Sequence, residues 1–194
     1  LDLSAVALGL DDLAANPAMT GLAVNLSASS LQDLAFRGEL RDLLRQNAQA
    51  ARRLWLEVAE GGALKHFAAF RDLCKELKRS GCKVGIEHFG RQFSQVGQLH
   101  DLGLDYIKVD ASFVRGLDAN PGNQAFLKGL CSIVHGIGIQ AIAEGVVSET
   151  EMQALAEANE VNVAPHNFYG HLCTMMAAHF CAAVPNLRIM ETDI

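Results

Sequence analysis

The chain has 194 residues, of which 50% are hydrophobic, and it carries a formal net charge of -6. This length suffices for one domain with a sizeable core, and the composition excludes an intrinsically disordered chain. The negative charge argues against binding to duplex nucleic acid, which needs a broad basic face. A small phosphate ligand needs only a few local donors and is not excluded.

The five cysteines are odd in number and widely spaced, and none forms a Cys-x-x-Cys pair. We therefore expect reduced thiols and a cytoplasmic location rather than a disulfide framework. No apolar run reaches the ~20 residues that a membrane-spanning helix needs, and no signal peptide is visible. The chain opens in the middle of a pattern at Leu1, so we expect it to be cut from a longer protein.

Short apolar runs alternate with helical patterns, at the spacing of βα units in a parallel sheet. The predicted strands are Leu22–Leu26, Leu54–Val58, Val84–Phe89, Tyr106–Val109, Gln140–Ala143, Val161–Ala164 and Leu187–Met190. Repeated units of this length favour an α/β fold of the TIM-like (β/α) barrel type over an open doubly wound sheet. Seven strands leave the barrel incomplete, so an eighth is either missing or hidden in the weak pattern Leu1–Leu13. An unclosed edge also predicts a homodimer.

Helices are predicted at Leu64–Arg79, at Asn123–Gly136 and at Glu149–Glu157, where Ser148 and Glu151 form a capping box. We interpret their apolar stripes as the faces that pack on the sheet. The stripe of the second helix includes Ile133.

Polar residues recur near the carboxyl ends of successive strands: Asn25, Glu57, Glu87, His88, Lys108, Asp110 and Glu144. In a barrel these ends meet at one opening, the mouth, where active sites lie. Carboxylate, amide and ammonium groups in this arrangement favour a divalent cation and an anionic substrate.

Structural alternatives remain open for several of these residues. Asn25 could cap a turn, Lys108 and Asp110 could form an ion pair, and His88 could be a hydrogen-bonded core imidazole. Glu60 is expected to be a solvated loop charge.

Four segments together resemble a known family: VNLSASSL, LWLEVAEGGAL, VGIEHFGRQFSQVGQLHDLGLDYIKVDASFVRGL and AIAEGVVSETEMQAL. They are similar, in order and at matching intervals, to the motifs of the EAL domain family over roughly residues 1–157. Members of that family are TIM-like barrels that bind, and often hydrolyse, the bacterial second messenger cyclic di-GMP. The resemblance therefore implies cyclic di-GMP as the ligand.

The resemblance also implies roles for individual residues. Asn25, Glu57 and Glu87 fall on metal-ligand positions of the family, and Mg²⁺ or Mn²⁺ is the metal expected if any activity remains. Lys108 and Glu144 match catalytic positions. The ligand-binding residues implied for this chain are Asn25, Glu57, Glu87, His88, Phe89, Arg91, Lys108, Asp110 and Glu144.

Departures from the family pattern predict a degenerate site. The Glu-Ala-Leu motif is absent from the chain, His88 stands where the family has a second aspartate, and Val147 replaces a glutamate. Two-metal cleavage needs several carboxylates, so we expect Lys108 and Glu144 to be vestigial and the module to need no cofactor. The segment EHFGRQF is similar to LapD-type inner-membrane receptors, which sense cyclic di-GMP without cleaving it.

The tail, residues 158–194, instead resembles late barrel strands of the enolase superfamily, in its mandelate racemase branch. His166 and Glu191 fall on functional positions of that branch, but we expect both to be inert here because their partners lie on strands that this chain lacks. The combination suggests a chimera that forms one barrel domain over residues 1–194.

These observations predict a cyclic di-GMP receptor module and favour a binding module over an enzyme. The alternatives are a weakly active, metal-dependent cyclic di-GMP phosphodiesterase and a designed chimeric barrel without retained function. The parent protein is expected to carry upstream signalling domains and a tether to the bacterial inner membrane, with no direct membrane insertion by this module.

Overall fold

The computed structural model describes the backbone of residues 1–159, 162–163, 166–167 and 191–192. These residues belong to two compact units, Leu1–Tyr106 and Ile107–Ile194. Most of residues 158–194, for which the sequence suggested an enolase-superfamily resemblance, lies outside the described residues, including the predicted strand Leu187–Met190. The interpretation of the whole chain as one domain stays a prediction.

The first unit consists of parallel strands flanked by helices, in the βα order that the sequence predicted. Its elements are α1 (Asp2–Ala15), β1 (Leu22–Leu26), α2 (Leu34–Gln46), α3 (Ala48–Ala51), β2 (Leu54–Ala59), α4 (Glu60–Lys65), α5 (Phe67–Arg79), β3 (Lys83–Phe89) and a 3-10 helix at Phe93–Asp101.

The alternative that an eighth strand is hidden in Leu1–Leu13 is wrong, because this segment forms α1. Its buried residues Val6, Leu10 and Leu13 recur at helical spacing and place one face against the core. Arg53 donates hydrogen bonds to the carbonyls of Leu13, in the last turn of this helix, and of Met19, in the segment that follows it.

The helix predicted at Leu64–Arg79 is two helices, because the chain breaks at His66. His66 has φ -116° and ψ 40°, so it ends α4 and precedes α5. The apolar face of α5 is buried as predicted, with Phe70, Cys74 and Leu77 all at most 2% exposed. Helix α4 begins directly after β2.

Strands β1, β2 and β3 pair in parallel and in chain order. The core beside them contains Leu54, Leu56, Val84 and Ile86, all at most 1% exposed. Apolar residues from both faces of these strands are buried, which is typical of a parallel sheet covered by helices. The register of the sheet therefore determines which polar strand-end residues lie side by side.

Strand β4 (Tyr106–Val109) begins on the last residue of the first unit, and the second unit continues from Ile107. Its further described elements are α6 (Ala111–Val114), a 3-10 helix at Leu117–Ala119, α7 (Pro121–Gly136), β5 (Gln140–Ala143), α8 (Glu149–Asn159), β6 (Asn162–Val163), β7 (His166–Asn167) and β8 (Glu191–Thr192).

Helix ends in the second unit follow sequence signals. Asn120 caps α7 through the N–H of Asn123, and Pro121 occupies the first turn. The capping box predicted for α8 is confirmed in part: Ser148 Oγ accepts the N–H of Glu151 at 3.1 Å, but the Glu151 carboxylate accepts the N–H of Val147 at 2.9 Å. Ile133 was predicted in the packed face of α7 but is 42% exposed, so that part of the prediction is wrong.

Cys74, Cys82 and Cys131 are free and buried, consistent with the expectation of reduced thiols for these three. Burial raises the pKa of Cys74 and of Cys82 to about 12, and that of Cys131 to about 11. Among the described residues, no helix has the length and hydrophobicity needed to cross a membrane.

Candidate functional site

In the first unit, three strand-end residues lie on one face of the sheet. Asn25 of β1 pairs in register with Glu57 of β2, and Glu57 pairs with Gly85 of β3. Partners in adjacent parallel strands point to the same face, and so do alternate residues of one strand. Glu87, two residues beyond Gly85, therefore shares this face with Asn25 and Glu57.

The environments of these three side chains differ. Glu57 is 1% exposed and accepts a hydrogen bond from the hydroxyl of Tyr106 at 2.7 Å. Asn25 is exposed, and the Glu87 side chain is 16% exposed. A buried carboxyl group thus lies in register with an exposed amide.

This pair of oxygen donors fits a divalent cation of the Mg²⁺ type. Mg²⁺ typically keeps several waters and takes only one or two protein carboxylates together with substrate phosphates. Within the described part of the chain, no three His, Cys, Asp or Glu side chains are grouped so that they could hold a metal ion. Asn25 and Glu57 therefore suit one cation with few protein ligands.

His88 directly follows Glu87 and has a left-handed backbone, with φ 52°. Its side chain is 58% exposed, and Nε2 lies 3.9 Å from Oε2 of Glu87. The interpretation of His88 as a core imidazole is therefore wrong. An exposed imidazole at this position presents a neutral or cationic ring where a carboxylate would present a hard anion.

The loop that follows carries Phe89 and Arg91, both predicted to bind ligand. Phe89 is 1% exposed and packs in the core of the first unit. The Arg91 residue is exposed. Gly90 between them has φ 128°, a conformation that favours glycine.

Glu60, which was expected to be a solvated charge, is instead 3% exposed and holds this loop. Its Oε1 accepts the N–H of Gly90 at 3.1 Å, and its Oε2 accepts the N–H of Arg91 at 3.1 Å. The N–H of Gln92 lies 3.2 Å from both oxygens. Glu60 therefore supports the loop of the candidate site, a role that its position in the sequence did not indicate.

The loop after Asn25 is also anchored by a carboxylate. Asp2, at the start of α1, accepts the N–H of Ser27 at 2.6 Å and the hydroxyl of Ser30 at 2.7 Å. Partial burial alone would raise the pKa of Asp2, but these two hydrogen bonds bring it below its usual value. Asp2 therefore stabilises this loop in its ionised form.

In the second unit, Lys108 and Asp110 are 2% and 4% exposed. Asp110 caps α6, because its Oδ1 accepts the N–H of Ser112 at 2.9 Å and the Ser112 hydroxyl at 2.6 Å. Glu144 follows β5 and donates its N–H to the carbonyl of Val109 at 3.1 Å. The structure thus brings Glu144 beside the segment that contains Lys108 and Asp110.

A second buried glutamate ties the loops of this unit together. Glu151 is 5% exposed and accepts the N–H of Gly116 at 2.7 Å and that of Val147 at 2.9 Å. The loop after Glu144 is therefore fixed to the segment that follows α6. Convergence of the strand-end residues of both units on one mouth stays a prediction.

Parallel βα units whose strands end in oxygen donors and a lysine define an α/β protein of the TIM-like barrel class. Within that class, the chain belongs to the EAL domain family, whose model matches residues 1–161. Both the predicted family and the predicted fold class are confirmed.

Comparison with individual proteins finds more distant relatives. The chain is 28% identical to cyclic di-GMP phosphodiesterase PdeA of Borreliella burgdorferi over 134 residues, which are 69% of this chain and 20% of that protein. It is equally 28% identical to the uncharacterized protein Rv1354c of Mycobacterium tuberculosis, covering 70% of this chain and 22% of the relative. The chain therefore spans about a fifth of the length of these curated relatives.

Solved structures resemble the chain over most of its length. The FimX EAL domain of Pseudomonas aeruginosa bound to c-di-GMP superimposes with a TM-score of 0.74 at 28% identity, covering 81% of this chain and 64% of that one. LapD of Vibrio cholerae, also bound to c-di-GMP, gives a TM-score of 0.72 at 21% identity, covering 81% of this chain and 38% of that one. The second match supports the fold alone.

Proposed function

We propose that this chain is a receptor module that binds cyclic di-GMP through a degenerate, inactive phosphodiesterase site. The observation that carries the proposal is the EHFG segment at the end of β3. There an exposed imidazole, His88, occupies the position of a family carboxylate beside Glu87. Two-metal cleavage of a phosphodiester needs several carboxylates around the cations, so this replacement removes catalysis before it removes binding.

Binding is expected to use groups that do not depend on a metal cluster. A cyclic dinucleotide offers two phosphates and two guanine faces. The Arg91 residue is exposed, and its backbone is held by Glu60, so its guanidinium is presented on an ordered loop. An arginine of this kind can pair with a phosphate or stack on a base.

Calorimetric titration of the chain with cyclic di-GMP, in EDTA and again in Mn²⁺, tests the proposal. We expect sub-micromolar binding in both buffers and no turnover in a hydrolysis assay. Arg91→Ala should weaken binding about tenfold or more, because a charge-assisted hydrogen bond contributes about 1.5–3 kcal/mol. Arg41→Ala, which removes another exposed arginine, is the matched control.

Two results would refute the receptor proposal. Absence of binding in both buffers would leave a barrel without retained function. Hydrolysis at about 1–10³ per second, the range typical of enzymes, would make the chain a phosphodiesterase.

A weakly active phosphodiesterase is the second candidate, favoured by one observation. Asn25 and Glu57 lie in register on adjacent strands and still provide two hard oxygen donors for Mg²⁺ or Mn²⁺. Slow turnover that appears with Mn²⁺, disappears in EDTA and is lost in Glu57→Gln would establish this candidate.

We place the module in the cytoplasm, where a bacterial second messenger is available, with no duplex nucleic acid as partner. Its parent protein is proposed to carry further signalling domains and a membrane tether, and the module itself to form a homodimer. Size-exclusion chromatography with light scattering tests the dimer, and a monomeric mass at all concentrations would contradict it.

A further inference from the structure

Tyr106 makes a hydrogen bond inside the candidate site that the sequence analysis did not anticipate. Its hydroxyl donates to Oε1 of Glu57 at 2.7 Å. Tyr106 is 0% exposed and Glu57 is 1% exposed, so water does not compete for this contact. A hydrogen bond to a buried charged acceptor is worth more than one on the surface.

The position of the Tyr106 ring is fixed by its neighbours. Gly85 of β3 leaves the space that the ring occupies, because a Cβ at Gly85 would come within 2.7 Å of Cδ2 of Tyr106 and closer still to two other ring atoms. On another side lies Trp55, whose ring centroid is 4.8 Å from that of Tyr106. Packing therefore aims the hydroxyl at Glu57 instead of leaving it to rotate freely.

We propose that Tyr106 is a positioning residue that orients the Glu57 carboxylate and thereby sets the affinity of the Asn25–Glu57 pair for a divalent cation. Oxygen Oε1 accepts the hydrogen bond of the phenol, which restrains the orientation of the carboxylate. Groups that hydrogen-bond to metal ligands typically change metal affinity about 10–100-fold when they are removed. The inference deepens the proposed function, because the same pair belongs to the proposed dinucleotide site.

Titration of the full chain with Mn²⁺ alone tests this inference. Free Mn²⁺ is measured by electron paramagnetic resonance, and fluorescence of Trp55, the chain's single tryptophan, reports events next to Tyr106. We expect Tyr106→Phe to weaken Mn²⁺ binding about tenfold or more. Leu40→Val, at a buried position of α2, serves as a control for general destabilisation and should bind Mn²⁺ like the wild type.

Three results would overturn the inference: equal Mn²⁺ affinity of wild type and Tyr106→Phe, equal weakening in Leu40→Val, or no Mn²⁺ binding by the wild type up to millimolar concentration. Circular dichroism verifies that each variant is folded. If Tyr106→Phe fails to fold, Gly85→Ala replaces it, since it displaces the ring while keeping the hydroxyl, and the same tenfold loss is required.

Failure of this inference and failure of the proposed function are distinguishable. A chain that binds Mn²⁺ in a Tyr106-dependent manner but does not bind cyclic di-GMP refutes the receptor proposal alone. A chain that binds cyclic di-GMP in EDTA, with Mn²⁺ affinity unchanged by Tyr106→Phe, refutes the positioning role alone.

Discussion

Replacing Glu60 by glutamine perturbs the loop that carries Arg91 without changing any residue proposed to touch the ligand. The carboxylate accepts the N–H groups of Gly90, Arg91 and Gln92, and it is 3% exposed. Glutamine keeps one acceptor oxygen and turns an NH₂ group toward donors. At least one buried N–H then lacks an acceptor.

The magnitude follows from the number and type of these bonds. A hydrogen bond to a charged acceptor contributes about 1.5–3 kcal/mol, so losing one bond and weakening the others should cost about 2–4 kcal/mol of unfolding free energy. For a chain of this size that corresponds to a fall in Tm of roughly 4–15 °C. If 1.4 kcal/mol of this cost falls on the ligand-binding conformation of the loop, affinity for cyclic di-GMP drops about tenfold.

Hydrogen exchange, thermal unfolding and calorimetry together measure the effect. Residues 90–92 should exchange faster in Glu60→Gln, whereas exchange in α5 should be unchanged. Glu39→Gln, at an exposed position of α2, is the matched control. Wild-type protection of residues 90–92 in Glu60→Gln would show that the carboxylate does not hold the loop.

Three further predictions concern packing, pH and thiol reactivity. Gly85→Val should destabilise the fold by about 1–3 kcal/mol, the typical cost of overpacking, because the new side chain meets the Tyr106 ring; an equilibrium unfolding curve with wild-type stability would contradict the contact. The lowered pKa of Asp2 stabilises the folded state at pH values above its unfolded pKa, and this contribution disappears as the pH falls through the folded pKa. Asp2→Asn should therefore flatten the loss of stability below about pH 4, and identical acid unfolding curves would exclude this role. Because burial raises the pKa of their thiols, Cys74, Cys82 and Cys131 should stay unmodified by iodoacetamide at pH 8 in the native state and be modified in denaturant, as measured by peptide mapping. Rapid labelling of the native protein would show that these thiols are accessible.

The strands could be predicted from sequence wherever a short, β-branched run stood alone. Tyr106–Val109 and Gln140–Ala143 match the structure residue for residue. The first helix was missed because exposed apolar residues such as Leu8 obscure the helical spacing of its buried residues.

The roles of the polar residues could be predicted from the sequence less often than the strands. Glu57 could be recognised from sequence because a charge within an apolar strand is costly and therefore conspicuous. Glu60 could not, because its role depends on three N–H groups that lie 30–32 positions further along the chain. The hydrogen bond between Tyr106 and Glu57 could not be predicted from local sequence either, since it spans 49 positions. It also requires that residue 85 has no side chain, because a Cβ there would clash with the Tyr106 ring.

His88 holds a left-handed backbone conformation, with φ 52°. Aspartate and asparagine enter that region several-fold more readily than most residues with a Cβ, and histidine shares this tolerance. The main chain therefore imposes no barrier to exchanging these side chains at this position. A carboxylate and an imidazole can therefore replace each other here without a change in the backbone of the loop, and under the proposed function a single substitution would separate a cleaving site from a sensing one.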